Sequence, residues 1–283
     1  MNRSKVARAF VAGLSVAIAA CGGGTGSGMN ATRPLPPPPT PSVKLATAQQ
    51  FGSYLVDGSG RTLYLFAKDL PAGGGNAAVS NCTGSSTDMT SCVYFWPIFH
   101  AANQTVQGID ANDLGEITRP DGLKQSTYKG WPLYYFVNDP NPGDINGETI
   151  ADWFVIRSPF YTIISLTDAQ GTKRLVDATG RSLYVFTQDP AGPNPTSACA
   201  GTPGDRNTCV GNWPIFAVST VIVPSAISAG QLISFTRADQ QQQTAFNGHP
   251  LYYFVDDQVP GDQKGLTFPP GLGFWFTVDP TVQ

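Results

Sequence analysis

One stretch of this chain occurs twice. Leu55-Val56-Asp57-Gly58-Ser59-Gly60-Arg61-Thr62-Leu63-Tyr64-Leu65-Phe66 returns as Leu175-Val176-Asp177-Ala178-Thr179-Gly180-Arg181-Ser182-Leu183-Tyr184-Val185-Phe186. Trp96-Pro97-Ile98-Phe99 returns as Trp213-Pro214-Ile215-Phe216, Pro132-Leu133-Tyr134-Tyr135-Phe136-Val137 as Pro250-Leu251-Tyr252-Tyr253-Phe254-Val255, and Trp153-Phe154 as Trp275-Phe276. Matches kept in order over so much of a chain mark a duplicated structural unit. Whatever the first copy folds into, the second must repeat, with the seam at residues 157–162. A finer symmetry lies inside each copy. The pattern Gly-x-x-Leu-Tyr-x-Phe-x-x-Asp runs from Gly60 to Asp69, Gly130 to Asp139, Gly180 to Asp189 and Gly248 to Asp257.

The repeated segment reads as a strand. Alternate residues of a strand face opposite sides, so Tyr64 and Phe66 share one face while Leu63 and Leu65 share the other. All are apolar or aromatic, and the run is short and bounded by glycine, the signature of a strand covered on both sides. The same reading applies to Tyr134 with Phe136, Tyr184 with Phe186, and Tyr252 with Phe254. Charged residues make up 13% of the chain, half the usual share, and it holds 31 glycines and 24 prolines, which favours short strands joined by many turns. The expected fold is all-β: two tandem homologous antiparallel domains, sandwich- or barrel-like, each with an internal pseudo-twofold repeat. Helical periodicity is confined to residues 225–232.

The start of the chain carries a different message. Met1-Asn2-Arg3-Ser4-Lys5 precedes an apolar run over residues 6–20, broken only by Arg8 and Ser15. A basic start, an apolar stretch too short to span a bilayer, and small residues before a cleavage point form an export signal. Ile18-Ala19-Ala20-Cys21 resembles a bacterial lipobox, in which the cysteine is acylated and becomes the first residue of the mature chain. Cys21 is also the cysteine left over once the others are paired. Several acyl chains anchor a protein firmly where one would not. Residues 22–28 are rich in glycine and residues 34–41 in proline, a flexible and then extended tether. Gly22 after the cysteine, by resemblance to Gram-negative lipoproteins in which aspartate retains the protein in the inner membrane, implies delivery to the outer membrane. The chain thus divides into a signal peptide (1–20), a lipidated Gly/Pro-rich tether (21–42) and β repeat domains at 43–157 and 158–283.

The four Tyr-x-Phe-x-x-Asp copies, the Leu-Val-Asp-x-x-Gly-Arg lead-in, the Trp-Pro pairs and the lipobox together resemble the secreted-repeat bacterial lipoproteins of unknown function, which share a Tyr-x-(Phe/Trp/Tyr)-x-x-Asp motif. The resemblance spans residues 55–278. In that family the cysteines are usually closer and the tryptophan precedes two prolines, whereas Ile98 and Ile215 stand at the second proline here. The family implies an exported, anchored protein and brings no activity with it.

Cys82 and Cys92, and Cys199 and Cys209, sit at equivalent places in the two copies, and an exported protein meets oxidising conditions, so each pair is expected as a disulfide within its own domain. Zinc or redox cysteines come closer together, with histidine or further cysteine nearby. Asp69, Asp139, Asp189 and Asp257 follow the strand directly. They are read as turn anchors and as partners for the buried tyrosine hydroxyls, with a cation or sugar site as the alternative. Residues 139–148 offer several hard oxygens, yet they miss the calcium-loop spacing. Trp96, Trp153, Trp213 and Trp275 are expected in the core, and a glycan-binding face requires them exposed beside the aspartates.

An enzyme needs a nucleophile, a base or a metal set. The two histidines, His100 and His249, stand at unlike places in the two copies, so no Ser-His-Asp or Cys-His arrangement is duplicated. A net charge of -3 without a basic run argues against nucleic acid. The expectation is a non-catalytic envelope lipoprotein presenting a binding or structural surface, without catalytic, metal or cofactor residues. Its membrane contact is through the lipid anchor only, and its partner would be an envelope protein or glycan. The alternatives are a glycan- or calcium-binding surface module and, more remotely, a glycoside-hydrolase-like enzyme.

Overall fold

The computed structural model describes residues 42–268 and 273–281. Cys21 and the signal peptide lie outside the described residues, as does the tether up to residue 41.

The first repeat contains β1 (Val43–Ala48), β2 (Gly52–Asp57), β3 (Tyr64–Phe66), the one-turn helix α1 (Cys92–Phe95), β4 (Val106–Gln107), β5 (Leu114–Thr118), β6 (Lys124–Tyr128), β7 (Trp131–Pro132), β8 (Trp153–Val155) and β9 (Arg157–Ser158). The second contains β10 (Ile163–Thr167), β11 (Lys173–Asp177), β12 (Tyr184–Phe186), α2 (Cys209–Asn212), β13 (Leu232–Thr236), β14 (Gln242–Phe246), β15 (His249–Pro250) and β16 (Trp275–Thr277). The tandem all-β expectation holds. Pairing is antiparallel throughout the named strands except between β1 and β4.

Equivalent hairpins recur in each copy: β1–β2 and β10–β11, then β5–β6–β7 and β13–β14–β15. Between them the motif strands β3 and β12 pair with the Trp-Phe strands β8 and β16, placing Phe66 opposite Trp153 and Phe186 opposite Trp275. The two half-copies of each repeat meet backbone to backbone at their tyrosines. Tyr64 and Tyr134 exchange N–H···O bonds of 2.9 and 3.0 Å, and Tyr184 and Tyr252 do so at 2.9 Å in both directions. Each repeat is therefore organised about a pseudo-twofold axis between two tyrosines.

The predicted division of faces is realised in the first repeat. Leu63 and Leu65 enter one apolar cluster, Tyr64 and Phe66 the other. The helical periodicity at residues 225–232 gives no α-helix. Ala229–Gln231 forms a single 3-10 turn, capped by the Ser228 and Gln231 side chains, and Leu232 already begins β13. Pro224 precedes the segment, Gly230 lies inside it, and from Leu232 the burial alternates as in a half-covered strand, so a local helix has no apolar stripe to bury.

The repeats share a core. In the hairpin β10–β11, Ile163 and Leu175 pack into the second repeat's own cluster. Its other face, with Ile164, Leu166 and Val176, packs with Leu65, Trp131 and Phe154 of the first repeat. The Trp131 indole N–H donates to the Ala178 carbonyl at 2.9 Å, and Thr167 N–H donates to the Ala67 carbonyl at 2.8 Å. The described residues accordingly form one compact unit. No helix among the described residues is long and apolar enough to cross a membrane.

Candidate functional site

The motif side chains assemble across the pseudo-twofold axis. Each tyrosine hydroxyl donates to the aspartate of the opposite half-copy: Tyr64 to Asp139, Tyr134 to Asp69, Tyr184 to Asp257 and Tyr252 to Asp189, at 2.5–2.7 Å. The aspartates are the tyrosine partners the sequence suggests, but the pairing is exchanged between half-copies. The second carboxylate oxygen anchors a loop. Asp69 accepts from Asn81 N–H, Asp139 from Asn146 N–H, Asp189 from Ala198 N–H and Asp257 from Lys264 N–H, at 2.6–3.0 Å. These amides lie well beyond the adjacent turn, so each acid holds down a long loop. All four aspartates are buried.

Burial without a neighbouring positive charge in contact disfavours the ionised form. It pushes the Asp69 carboxyl up to about 7 and raises those of Asp189 and Asp257. Burial also raises the tyrosine partners well above their ordinary range.

The lead-in motif has a matching role. One Asp57 oxygen accepts from the Ser59 and Arg61 amides and the other from the Tyr135 hydroxyl, at 2.8–2.9 Å. Asp177 does the same with Thr179, Arg181 and Tyr253, at 2.8–3.0 Å. Arg61 and Arg181 lie over the Tyr135 and Tyr253 rings at 4.1 and 4.2 Å, a cation–π contact that closes the turn.

Sequence reasoning missed a further polar layer. Arg119 is buried and donates to Ser80 Oγ, Gln125 Oε1, the Cys82 carbonyl and Asp121. Ser80 in turn contacts the Tyr134 hydroxyl at 2.6 Å. Arg237, Gln243, Ser197, Asp239 and Tyr252 repeat the arrangement around the Cys199 carbonyl. The signal was present as Thr118-Arg119-x-Asp121 and Thr236-Arg237-x-Asp239. These arginines tie the motif tyrosines to the disulfide loops, since Cys82 is bonded to Cys92 and Cys199 to Cys209.

Against this polar layer stands a column of four aromatic rings. Phe66, Trp153, Trp96 and Phe136 stack at centroid spacings of 4.2, 3.7 and 4.3 Å. Phe186, Trp275, Trp213 and Phe254 follow at 4.3, 3.8 and 4.6 Å. The four tryptophans are buried, so they build core, as their repetition suggested.

Over the outer edge of each column lies a hollow, in the same place in both repeats. In the first it measures 480 Å³, bordered by Ser91, Cys92, Phe95, Trp96, Ile150 and Trp153. In the second it measures 540 Å³, bordered among others by Thr208, Cys209, Asn212, Trp213, Phe268 and Trp275. Residues 139–148, the calcium alternative, are turned to internal bonding. Asp144 accepts from Asn141, Glu148 from the Val155 amide, and Asp139 from Tyr64 and Asn146. Among the described residues no three acidic, histidine or cysteine side chains are placed to hold a metal ion. His100 contacts Glu116 at 2.8 Å on the surface, away from the motif acids.

Fold and site define a tandem-repeat, disulfide-containing β protein with its repeated acids buried inside. A family described as a secreted repeat of unknown function matches residues 115–157 and 234–279, so one segment in each unit is similar to that repeat. Each matched segment holds the second motif copy of its unit, with Tyr134 and Asp139 or Tyr252 and Asp257, and the Trp-Phe strand. No curated protein and no solved structure matches the chain.

Proposed function

We propose that this protein is a non-catalytic lipoprotein, anchored through Cys21 to the outer membrane, whose two repeats present a paired binding surface. The observation that supports this is the contrast between the two repeated features. All four motif acids point inward and have both oxygens engaged, so the repeated motif offers no carboxylate pair to a cleft as glycoside hydrolysis needs. The hollows over the tryptophan columns face outward at matching positions. An aromatic floor with a polar rim, Asn207, Asn212 and Gln188 in one copy and Thr90 and Ser91 in the other, suits the apolar face and hydroxyls of a sugar ring. With the tryptophans and the motif acids themselves buried, the ligand class favoured, an envelope glycan, rests on the exposed Phe95 and Ile150 of one hollow and Phe268 of the other.

The test is tryptophan fluorescence of the purified protein titrated with cell-wall and capsular oligosaccharides. A saturable change that Asn212→Ala weakens supports the reading. Flat titrations across the panel remove the glycan and leave a structural module. For the anchor, mass spectrometry of the native protein should find acyl groups on Cys21, and Cys21→Ser should release it from membranes.

A further inference from the structure

The duplicated units differ at one buried position in a way that points to a second ligand. Immediately before the recurring Leu-Val-Asp, the first repeat has Tyr54 and the second has Arg174. Tyr54 is core, packed with Val56, Tyr64 and Phe136. Arg174 is equally buried, at 4% exposure, and sits opposite Leu166 in the β10–β11 hairpin.

Its guanidinium is poorly satisfied. Nε has no hydrogen-bond partner, and the recorded bond from the group is a 3.3 Å contact from Nη2 to the Gly261 carbonyl. Among the described residues, no carboxylate comes within ion-pair distance. The acids that face it are occupied elsewhere. Asp168 accepts from the Gln170 and Thr172 amides, Asp257 from Tyr184 and the Lys264 amide, and Asp262 from the Gln258 and Val259 amides and Lys264 Nζ. Arg119 and Arg237, buried to the same degree, each have partners on all sides. Desolvation of a buried guanidinium is offset only when its donors are filled; Arg119 and Arg237 meet that condition, and Arg174, with Nε unpartnered, does not.

Arg174 lines a 650 Å³ cleft between the repeats, within the size range of small-molecule sites. Lys68 enters from the first repeat, its nearest carboxylate, Asp152, 3.8 Å away and shared with Lys173. Leu70, Leu166 and Pro260 supply apolar wall, while Asp168 and Asp262 add negative charge. We propose that this cleft binds a small organic monocarboxylate, its carboxylate held by the Arg174 fork and Lys68 and its apolar body against Leu70 and Pro260. A guanidinium edge matches a carboxylate in a bidentate fashion. The two lining aspartates count against phosphate and sulfate, which bring a second negative charge.

The experiment is thermal melting of the full-length purified protein in sodium hexanoate, phosphate, sulfate and, as the ionic-strength control, chloride. Hexanoate at a hundredfold excess over its dissociation constant should raise Tm by about 5–10 °C over chloride, and phosphate and sulfate should not. Arg174→Gln should lose that rise. Lys68→Ala, at a half-exposed side chain that does not threaten folding, should weaken hexanoate about tenfold. Equal melting in all four salts overturns the proposal, as does a larger rise in phosphate or sulfate, or a hexanoate response retained by Arg174→Gln.

Discussion

At the residue scale the motif aspartates act through their protons. Asp69 holds its proton up to about pH 7 in the folded chain because burial raises its pKa, whereas in the unfolded chain it loses it near pH 4. Its contribution to stability is therefore complete below about pH 4 and is lost as pH climbs through about 7. Asp189 and Asp257 shift in the same direction. Asp121, Asp239 and Asp262 shift the other way, held ionised by amides and by Arg119, Arg237 or Lys264, so their contribution fails only below about pH 4. The melting temperature should peak around pH 5 and decline toward pH 8. Asp69→Asn, neutral at every pH, should flatten that decline and melt no lower than the parent at pH 8. Calorimetry at both pH values checks this, and an unchanged slope in the variant refutes it. Tyr134→Phe removes the hydroxyl that links Asp69 to Ser80, and should cost about 1–3 kcal/mol by stranding buried acceptors. The sequence made the tyrosine–aspartate pairing readable because a buried hydroxyl demands a partner. It did not reveal the exchange between half-copies, since spacing along one strand says nothing of which strand lies beside it.

At the level of elements, the aromatic columns depend on two glycines whose role is close approach. A methyl group on Gly147 would stand 2.7 Å from Tyr64 Cζ and 2.8 Å from Trp96 Cη2, and on Gly265 it would stand 2.7 Å from Trp213 Cη2. Neither wall can give, because each tryptophan is held between two other rings. Gly147→Ala and Gly265→Ala should each destabilise by about 1–3 kcal/mol, the usual cost of overpacking. Gly230→Ala, with no neighbour closer than 3.6 Å, should be nearly neutral. Urea titration of the three variants decides between steric and general glycine effects. The strands β3 and β12 were legible because their apolar run needs cover on both faces. Residues 225–232 were misread because a short 3.6-residue periodicity carries little weight beside Pro224 and Gly230. Arg119 and Arg237 escaped notice because a charged residue in a hairpin ordinarily points to solvent.

The whole molecule is less divisible than its sequence. The duplication suggests two domains joined near residue 157, but β9 pairs with β2, Phe160 and Tyr161 lie in the first repeat's core, and Ile164, Leu166 and Val176 extend that core into the second. The β10–β11 hairpin is thus a shared wall, one face for each repeat. Breaking it should affect both. Leu166→Ala empties part of the joint cluster and should cost about 2–5 kcal/mol. If the wall couples the repeats, that loss appears in every probe at once: one calorimetric transition, with equal calorimetric and van't Hoff enthalpies, shifted as a whole to lower temperature. Trp96 and Trp153 belong to a different apolar cluster from Leu166, so their fluorescence, isolated by Trp131→Phe, Trp213→Phe and Trp275→Phe in the parent and the variant alike, reports on coupling rather than on the lesion. Two resolved transitions, with those tryptophans melting as in the parent, would show that the repeats fold independently and that the cleft holding Arg174 opens without either unit unfolding. A single transition instead makes the cleft part of the folded core, and a ligand bound there then stabilises both repeats together.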